Sequence, residues 1–568
     1  MNIRIKGIQT ALTALAVSVF TFNAQAQSIQ DGLKLLQYEQ PSKAISVFES
    51  LAKAEPTNAE KQFYLGNAYS ALGKPSEALA AYTNAATLDP KGVFSQVASA
   101  RALLSKGNFA EAKKGFDGVA KSTKNKDANA LRLCGESYLY IADKTQLTTG
   151  LDYLQRAQAA DPKNYAVYLT LGDAWRAARE GGKAMSAYEN AALFDKTTPI
   201  PYYKAGSIWF NAKNEKLFME NMEKAIAIDP NFAPSLKRVA DYYYNADKVK
   251  QSKDYYDKYM KLGDISLADK VQYANVLFLT KDCTGAIAQI NDIIKVDTSY
   301  NYLNRLVGYC SFDSGDAANA LTFMEKFLRN TKSEKIIPSD YEYYAKSLEK
   351  AGKDSLAIVN FEKAIAKDTT GKKAELYGNI AATYFKMKQY GKAAVAYESK
   401  MAKLGANAQD NYDLGRSLFF STYSLNKADT ATLYNTFRKA DQAFAKVLEV
   451  KPTAASGWNY RAKCNVNFEP NIPDEATDAT GAAAGRAAYG KAKPFYEKFV
   501  ELASSGADKD KYKKDLITAY KYLGYEATTK DNYDAAKVFC QKILELDPND
   551  KDTIETLASL EALKATDK

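Results

Sequence analysis

The 568-residue sequence contains no histidine. This absence excludes catalytic systems in which histidine activates a serine or a cysteine, and it removes the commonest metal ligand. The sequence also lacks a phosphate-binding Walker loop, and its carboxylates form no pair that stands apart from ordinary helix-surface Asp and Glu. We therefore expect a protein that is not an enzyme and that uses no cofactor and no metal ion.

Charge of one sign is only mildly in excess, because 77 Lys and Arg residues face 67 Asp and Glu residues. The excess is spread along the chain, without the basic stripe that nucleic-acid binding requires. The five cysteines are too few for a disulfide framework, and none forms a Cys-x-x-Cys pair. Nucleic acid is therefore not an expected partner.

Long apolar runs are missing after the first residues of the chain. Arg4 and Lys6 precede an apolar stretch from Ile8 to Phe22, and the small-x-small triplet Ala24-Gln25-Ala26 follows it. This order is typical of a secretory signal peptide, and the stretch is short for a membrane span. We expect residues 1–26 to be removed, and the mature chain to be soluble in the periplasm or at the outer envelope, without a transmembrane span. An uncleaved N-terminal anchor is the alternative.

What the sequence does contain is a repeat of one residue pattern. In one copy the pattern reads Leu65, Gly66, Tyr69, Gly73, Ala78, Tyr82, Ala85 and Pro90, and in another it reads Leu171, Gly172, Trp175, Ala184, Tyr188 and Ala191. The spacing within each copy predicts two helices joined by a turn. Small residues at Gly66 and Ala78 predict a close approach of the two helices. One such pair cannot bury its own apolar stripe, so neighbouring pairs must stack.

These residues resemble the tetratricopeptide repeat consensus, whose period is about 34 residues. The resemblance implies an all-α fold: an α-solenoid in which about fourteen helix pairs form a right-handed superhelix. We expect one continuous array over residues 27–568, interrupted by insertions at about 421–434 and 468–485. A capping helix is expected from Thr553 to Ala565.

The neighbourhood of Trp458, Ala462 and the Pro494-Phe495-Tyr496-Glu497-Lys498 segment is similar to exported tetratricopeptide repeat proteins of Bacteroidota-type Gram-negative envelopes. The repeat family implies a non-enzymatic scaffold that binds an extended polypeptide or a partner protein in a concave groove. The alternative function is a carbohydrate-binding or cell-wall-associated factor that uses the same aromatic groove.

In the repeat frame, five positions of each first helix point away from the core, and the resemblance places them in the groove. The central repeats carry aromatic, Asn and cationic residues there: Tyr203, Phe210, Asn211, Lys237, Tyr244, Asn245, Asn275, Phe278, Tyr302, Arg305, Tyr309 and Phe312. Aromatics provide buried area at low entropic cost, and Asn can both donate to and accept from a peptide backbone. The alternative, that these aromatics pack between helix pairs of a tightly coiled superhelix, stays open.

Two cysteines fall at neighbouring helix ends in the same frame. Cys283 begins the second helix of one repeat, and Cys310 lies late in the first helix of the next repeat. In a stacked array these ends lie on the same side, and an exported protein meets an oxidising environment. We therefore predict that Cys283 and Cys310 lie on neighbouring helices and are the candidate disulfide pair. The alternative, that all five cysteines are small buried apolar residues, stays open.

Overall fold

The computed structural model describes residues 28–141, 143–262, 265–470, 472, 478–504 and 509–566. Among these residues there are thirty α-helices and no strand, so the all-α prediction is confirmed. The predicted signal peptide, residues 1–26, lies outside the described residues, as does part of the second predicted insertion. The chain divides into two compact units, Met1–Gln289 (unit 1) and Ile290–Lys568 (unit 2).

Unit 1 contains successive helices that pack as pairs, each pair against the next. Its helices are α1 (Ile29–Gln37), α2 (Pro41–Ala54), α3 (Ala59–Ala71), α4 (Pro75–Leu88), α5 (Val93–Ser105), α6 (Phe109–Ser122), α7 (Ala128–Ser137), α8 (Leu147–Ala160), α9 (Tyr165–Ala177), α10 (Gly181–Phe194), α11 (Ile200–Asn211), α12 (Glu215–Ile228), α13 (Ala233–Asn245), α14 (Val249–Tyr259) and α15 (Leu267–Leu279). Helix α16 (Cys283–Val296) begins in unit 1 and ends in unit 2.

Unit 2 is built in the same way. Its helices are α17 (Asn304–Asp313), α18 (Ala317–Arg329), α19 (Pro338–Lys350), α20 (Asp354–Lys367), α21 (Leu376–Lys386), α22 (Tyr390–Leu404), α23 (Ala408–Ser421), α24 (Thr430–Val450), α25 (Ala455–Val466), α26 (Ala479–Ala488), α27 (Lys493–Ala503), α28 (Lys513–Thr529), α29 (Tyr533–Leu546) and α30 (Lys551–Thr566). Short 3₁₀ helices cover Lys144–Gln146, Thr298–Leu303, Ser333–Lys335 and Thr422–Ser424.

The close approach predicted at the glycines is confirmed. A Cβ atom on Gly66 would lie 2.4 Å from the ring of Tyr82, and one on Gly172 would lie 2.3 Å from the ring of Tyr188. Both rings are almost completely buried. Gly73 follows α3 with a φ of +74°, the left-handed conformation that glycine tolerates best. At Gly66 and Gly172 the Leu-Gly pair therefore marks a close contact between the two helices of a pair.

The N-terminal helix pair of unit 1 reaches residues far along the chain. The Tyr38 hydroxyl donates to Asp229 Oδ2 at 2.6 Å, and its ring meets Phe232 edge-on at 4.9 Å. The Tyr203 hydroxyl donates to Glu39 Oε1 at 3.0 Å. These contacts join the turn after α1 to α11 and to the turn after α12 within unit 1.

Several features of the predicted organisation have counterparts in the helices. The capping helix corresponds to α30, and the first insertion corresponds to the 3₁₀ helix Thr422–Ser424 and the first turn of α24. The described part of the second insertion includes most of α26. The continuity of the array through both units stays a prediction.

Two further features of the described residues are the state of the cysteines and the hydropathy of the helices. Cys134, Cys464 and Cys540 are free, buried thiols. Cys283 belongs to unit 1 and Cys310 to unit 2, and their pairing stays a prediction. Within the part of the chain that the structure describes, no helix has the length and apolarity needed to cross a membrane.

Candidate functional site

Two predicted groove residues of unit 1 hold helix pairs together. Tyr203 is only 6% exposed, and besides its bond to Glu39 its ring packs edge-on against Phe232 at 5.5 Å. Lys237 forms an ion pair with Asp269 at 2.9 Å. The predicted exposure is therefore wrong for Tyr203, and the Lys237 charge already has a counterion within unit 1.

The other predicted residues of unit 1 are less enclosed. Phe210 is half-buried and packs edge-on against Phe218 at 5.4 Å. Tyr244 is half-buried against the apolar core between α13 and α14. Phe278 is half-buried, with the Lys281 ammonium 5.7 Å from its ring centroid. Asn211 and Asn245 are exposed, whereas Asn275 is half-buried.

In unit 2, the buried Asp340 carboxylate contacts two of the predicted groove residues. Arg305 Nε lies 2.7 Å from Asp340 Oδ1, and the Tyr309 hydroxyl donates to the same oxygen at 2.7 Å. The Tyr309 ring stacks on Tyr343 at 4.0 Å, and Phe312 meets Tyr343 edge-on at 5.7 Å. Burial and the nearby Asp340 carboxylate raise the pKa of the Tyr309 hydroxyl.

These contacts correct the sequence-based groove. The frame placed Tyr309 and Arg305 on a face that points away from the core, but Tyr309 is 8% exposed and Arg305 is neutralised by Asp340 of α19. The physical reason is that the first helices of successive pairs pack closely enough for these positions to bridge α17 and α19. Tyr302 is 46% exposed, as the frame predicted. Partner binding at any of the twelve positions stays a prediction.

A different set of aromatic residues in unit 2 forms a half-exposed surface around one arginine. We call it the aromatic–arginine surface, and it consists of Phe385, Tyr390, Tyr412, Arg416, Phe420, Tyr423 and Tyr460.

Helix α23 supplies the centre of this surface. Tyr412, Arg416 and Phe420 are spaced four residues apart, so they lie on one face of the helix. The adjacent face carries Gly415, where an added Cβ would lie 2.8 Å from the ring of Phe444 in α24. The close packing of α23 on α24 therefore fixes the direction in which the Tyr412–Arg416–Phe420 face points.

The rings of the aromatic–arginine surface contact one another across three helices. Phe385 at the end of α21, Tyr390 at the start of α22 and Phe420 of α23 form a triangle with centroid distances of 5.0, 5.8 and 5.4 Å. The ring centroid of Tyr423 lies 6.1 Å from that of Phe420, and Tyr423 is 74% exposed. Aromatic rings at these separations stabilise each other, so the exposed Tyr423 rests on an ordered base.

Arg416 is held by rings rather than by a close carboxylate. Its guanidinium lies 4.8 Å from the Phe385 centroid and 5.7 Å from the Tyr412 centroid. The Asp413 carboxylate lies 3.9 Å from Arg416 Nη1, which is too long for a hydrogen bond. By contrast, Lys400 contacts Asp410 at 2.9 Å. The Tyr460 hydroxyl also interacts with the guanidinium. The Arg416 side chain is 34% exposed, so its remaining N–H groups can meet an acceptor on a ligand.

The first insertion lies beside this surface. It contributes Tyr423 and also Tyr434, which is 44% exposed and lies 5.8 Å from the ring of Phe468. The predicted groove residues include none of the aromatic–arginine surface, because all twelve belong to the central repeats. Leu414 and Gly415 correspond to the Leu-Gly pair of the repeat pattern. In that alignment Tyr412, Arg416 and Phe420 fall at first-helix positions that are predicted to face the groove.

Comparisons with known proteins locate two repeats. The tetratricopeptide repeat family model matches residues 59–91 in unit 1 and residues 522–550 in unit 2. No curated protein sequence matches the chain.

Several solved structures are similar to parts of the chain. The C-terminal part of a tetratricopeptide repeat protein from Cytophaga hutchinsonii is 28% identical, covers 50% of this chain and 98% of its own, and has a TM-score of 0.38. A tetratricopeptide repeat protein from Parabacteroides merdae is 16% identical, covers 45% and 98%, and has a TM-score of 0.27. A MamA fragment from Desulfovibrio magneticus is 18% identical, covers 36% and 97%, and has a TM-score of 0.26.

Proposed function

We propose that this tetratricopeptide repeat protein is a non-enzymatic scaffold of the cell envelope, which holds a polypeptide partner against the aromatic–arginine surface of unit 2. Tetratricopeptide repeats generally mediate protein–protein interactions, and solenoids offer extended surfaces for them. The partner is a chain that places apolar side chains on the rings and a backbone carbonyl or a carboxylate at Arg416.

The observation that carries the proposal is the combination of Arg416 and Tyr423. Arginine and tyrosine are enriched among the residues that dominate the energy of protein interfaces. Here the arginine is a third exposed, and its closest carboxylate oxygen is 3.9 Å away. The exposed tyrosine is braced by Phe419 at 5.9 Å and by Phe420. Such preorganisation reduces the entropy that binding must overcome.

The envelope location rests on the sequence of residues 1–26. Its basic start, apolar stretch and Ala24-Gln25-Ala26 triplet support export of the chain. N-terminal sequencing of the protein from a periplasmic extract should find Gln27 as the first residue. An intact Met1 in a cytoplasmic fraction would contradict the proposed location.

The binding proposal can be tested by photocrosslinking in intact cells. A photoreactive phenylalanine analogue placed at Tyr423 should give a protein adduct that mass spectrometry identifies. The matched control is the same analogue at Tyr525, which is 50% exposed in the same unit but lies outside the aromatic–arginine surface. The adduct should form at position 423 and be absent at position 525.

A second variant tests the role of the cation. Arg416→Gln keeps a polar side chain but removes the charge and the stacking guanidinium, so the adduct at position 423 should fall by at least about tenfold, as for loss of an interface anchor. Undiminished crosslinking in Arg416→Gln would contradict the proposal. Retention of the protein on peptidoglycan that Tyr423→Ala abolishes, without any protein adduct, would instead favour the carbohydrate-binding alternative.

A further inference from the structure

A second surface lies in unit 1, between the C-terminal ends of α10 and α12. These are the second helices of successive pairs, and a groove of about 630 Å³ separates their ends. The small side chains of Ala192 and Ala227 leave the space open.

Apolar side chains form the walls of this groove. Leu193 is 60% exposed, although it belongs to a helix whose neighbouring Ala191 is fully buried. Ile228 and Tyr202 of the adjoining helices are half-buried and line the opposite side. Covering Leu193 and the apolar side chains beside it would remove apolar surface from water, which is favourable.

The rim of the groove is cationic. Lys196 and Lys224 line it together with one acidic residue, Glu189. The Lys224 ammonium lies 5.9 Å from the Tyr202 ring centroid. Among the described residues, neither lysine has a carboxylate within ion-pair distance, whereas Lys204 of α11 contacts Asp173 at 2.7 Å. The rim therefore carries a net positive charge next to an apolar floor.

We propose that this groove binds an amphipathic helical segment of a partner protein, whose apolar side chains pack between Leu193 and Ile228 and whose acidic side chains pair with Lys196 and Lys224. The charge of the rim selects acidic over basic segments. The groove is open on the Leu193 side, so it suits a helix that covers it rather than a small molecule that must be enclosed.

The test uses two labelled synthetic peptides of about fourteen residues, long enough to form a helix when bound. Both carry leucines on one face at four-residue spacing; one has glutamates beside the leucines, and its twin has lysines. Fluorescence anisotropy at low salt measures binding to the full chain. The glutamate peptide should bind about two- to thirtyfold more tightly than the lysine peptide, as two exposed ion pairs allow.

Substitutions identify the groove as the source of that preference. Lys196→Glu combined with Lys224→Glu should reverse the preference between the two peptides. Leu193→Asp should weaken the binding of the glutamate peptide. It should not unfold the protein, since Leu193 is largely exposed. The matched control is Lys216→Glu on the same helix α12, whose side chain is 84% exposed and does not line the groove.

Three results would overturn the proposal. The first is that neither peptide binds at millimolar concentration. The second is that the two peptides bind equally. The third is that Lys216→Glu changes the preference as much as the rim variants do, because the effect would then come from the overall charge of the protein. None of these results bears on the aromatic–arginine surface, which lies in unit 2.

Discussion

Replacing Gly172 with alanine should destabilise the α9–α10 pair, although alanine is the better helix former. A Cβ atom on Gly172 would lie 2.3, 2.5 and 2.9 Å from three ring carbons of Tyr188. The ring is 1% exposed, and its hydroxyl donates to Asp173 Oδ1 at 2.8 Å. The ring therefore has no free space to move into, and moving it would break the hydrogen bond.

The expected magnitude follows from opposing contributions. Overpacking a core typically costs about 1–3 kcal/mol, and loss of the Tyr188–Asp173 hydrogen bond adds about 0.5–1.5 kcal/mol. The higher helix propensity of alanine offsets about 0.5–1 kcal/mol of this loss in stability. We therefore expect Gly172→Ala to lower the free energy of unfolding of this region by about 0.5–4 kcal/mol. Gly172→Leu should have a larger effect.

Native-state hydrogen exchange is the appropriate assay, since a repeat array need not unfold in one step. The amides of α9 and α10 should lose protection, while those of unit 2 should not change. Gly118→Ala is the matched control, because Gly118 lies inside α6 with nothing within 4 Å of an added Cβ. The free energy of unfolding of that variant should increase by up to about 1 kcal/mol. Equal protection in Gly172→Ala and the parent protein would refute the packing argument.

Three further substitutions test contacts within each unit. Asp340→Asn should destabilise α17 and α19 by about 1–3 kcal/mol, because it removes the charge at the centre of a buried hydrogen-bond network, and local hydrogen exchange measures the loss. Burial opposes ionisation of Asp269, yet hydrogen bonds, the first from Lys237, hold its pKa below the usual value of 3.8. The stability that this lowered pKa gives is present at neutral pH and is lost as the pH falls through the pKa of the folded protein. Urea denaturation of Asp269→Asn should therefore be less sensitive to acid than that of the parent protein. Tyr38→Ala should release the contact with Asp229, and the exchange of α1 should accelerate with little change in circular dichroism.

The fold could be predicted from the sequence because each core position carries its own signal. Gly66 and Gly172 occur at the spacing that a helix pair requires, and the structure places an aromatic ring against each of them. The contact of Tyr38 with Asp229 had no such signal. It joins helix pairs 191 residues apart, and such contacts depend on the rise and twist of the superhelix, to which every intervening pair contributes.

The same reasoning explains why the candidate surface is harder to predict from the sequence than the fold. Tyr309 and Tyr412 are both aromatic residues on first helices, and the sequence pattern does not separate them. What separates them is the side chain that the next first helix presents: Asp340 of α19 accepts a hydrogen bond from Tyr309, whereas Tyr460 of α25 meets the Tyr412 ring at 6.0 Å. Residue type therefore indicates candidates, and the side chains on the neighbouring helix determine how deeply each aromatic residue is buried: Tyr309 is 8% exposed, whereas Tyr412 is half-buried.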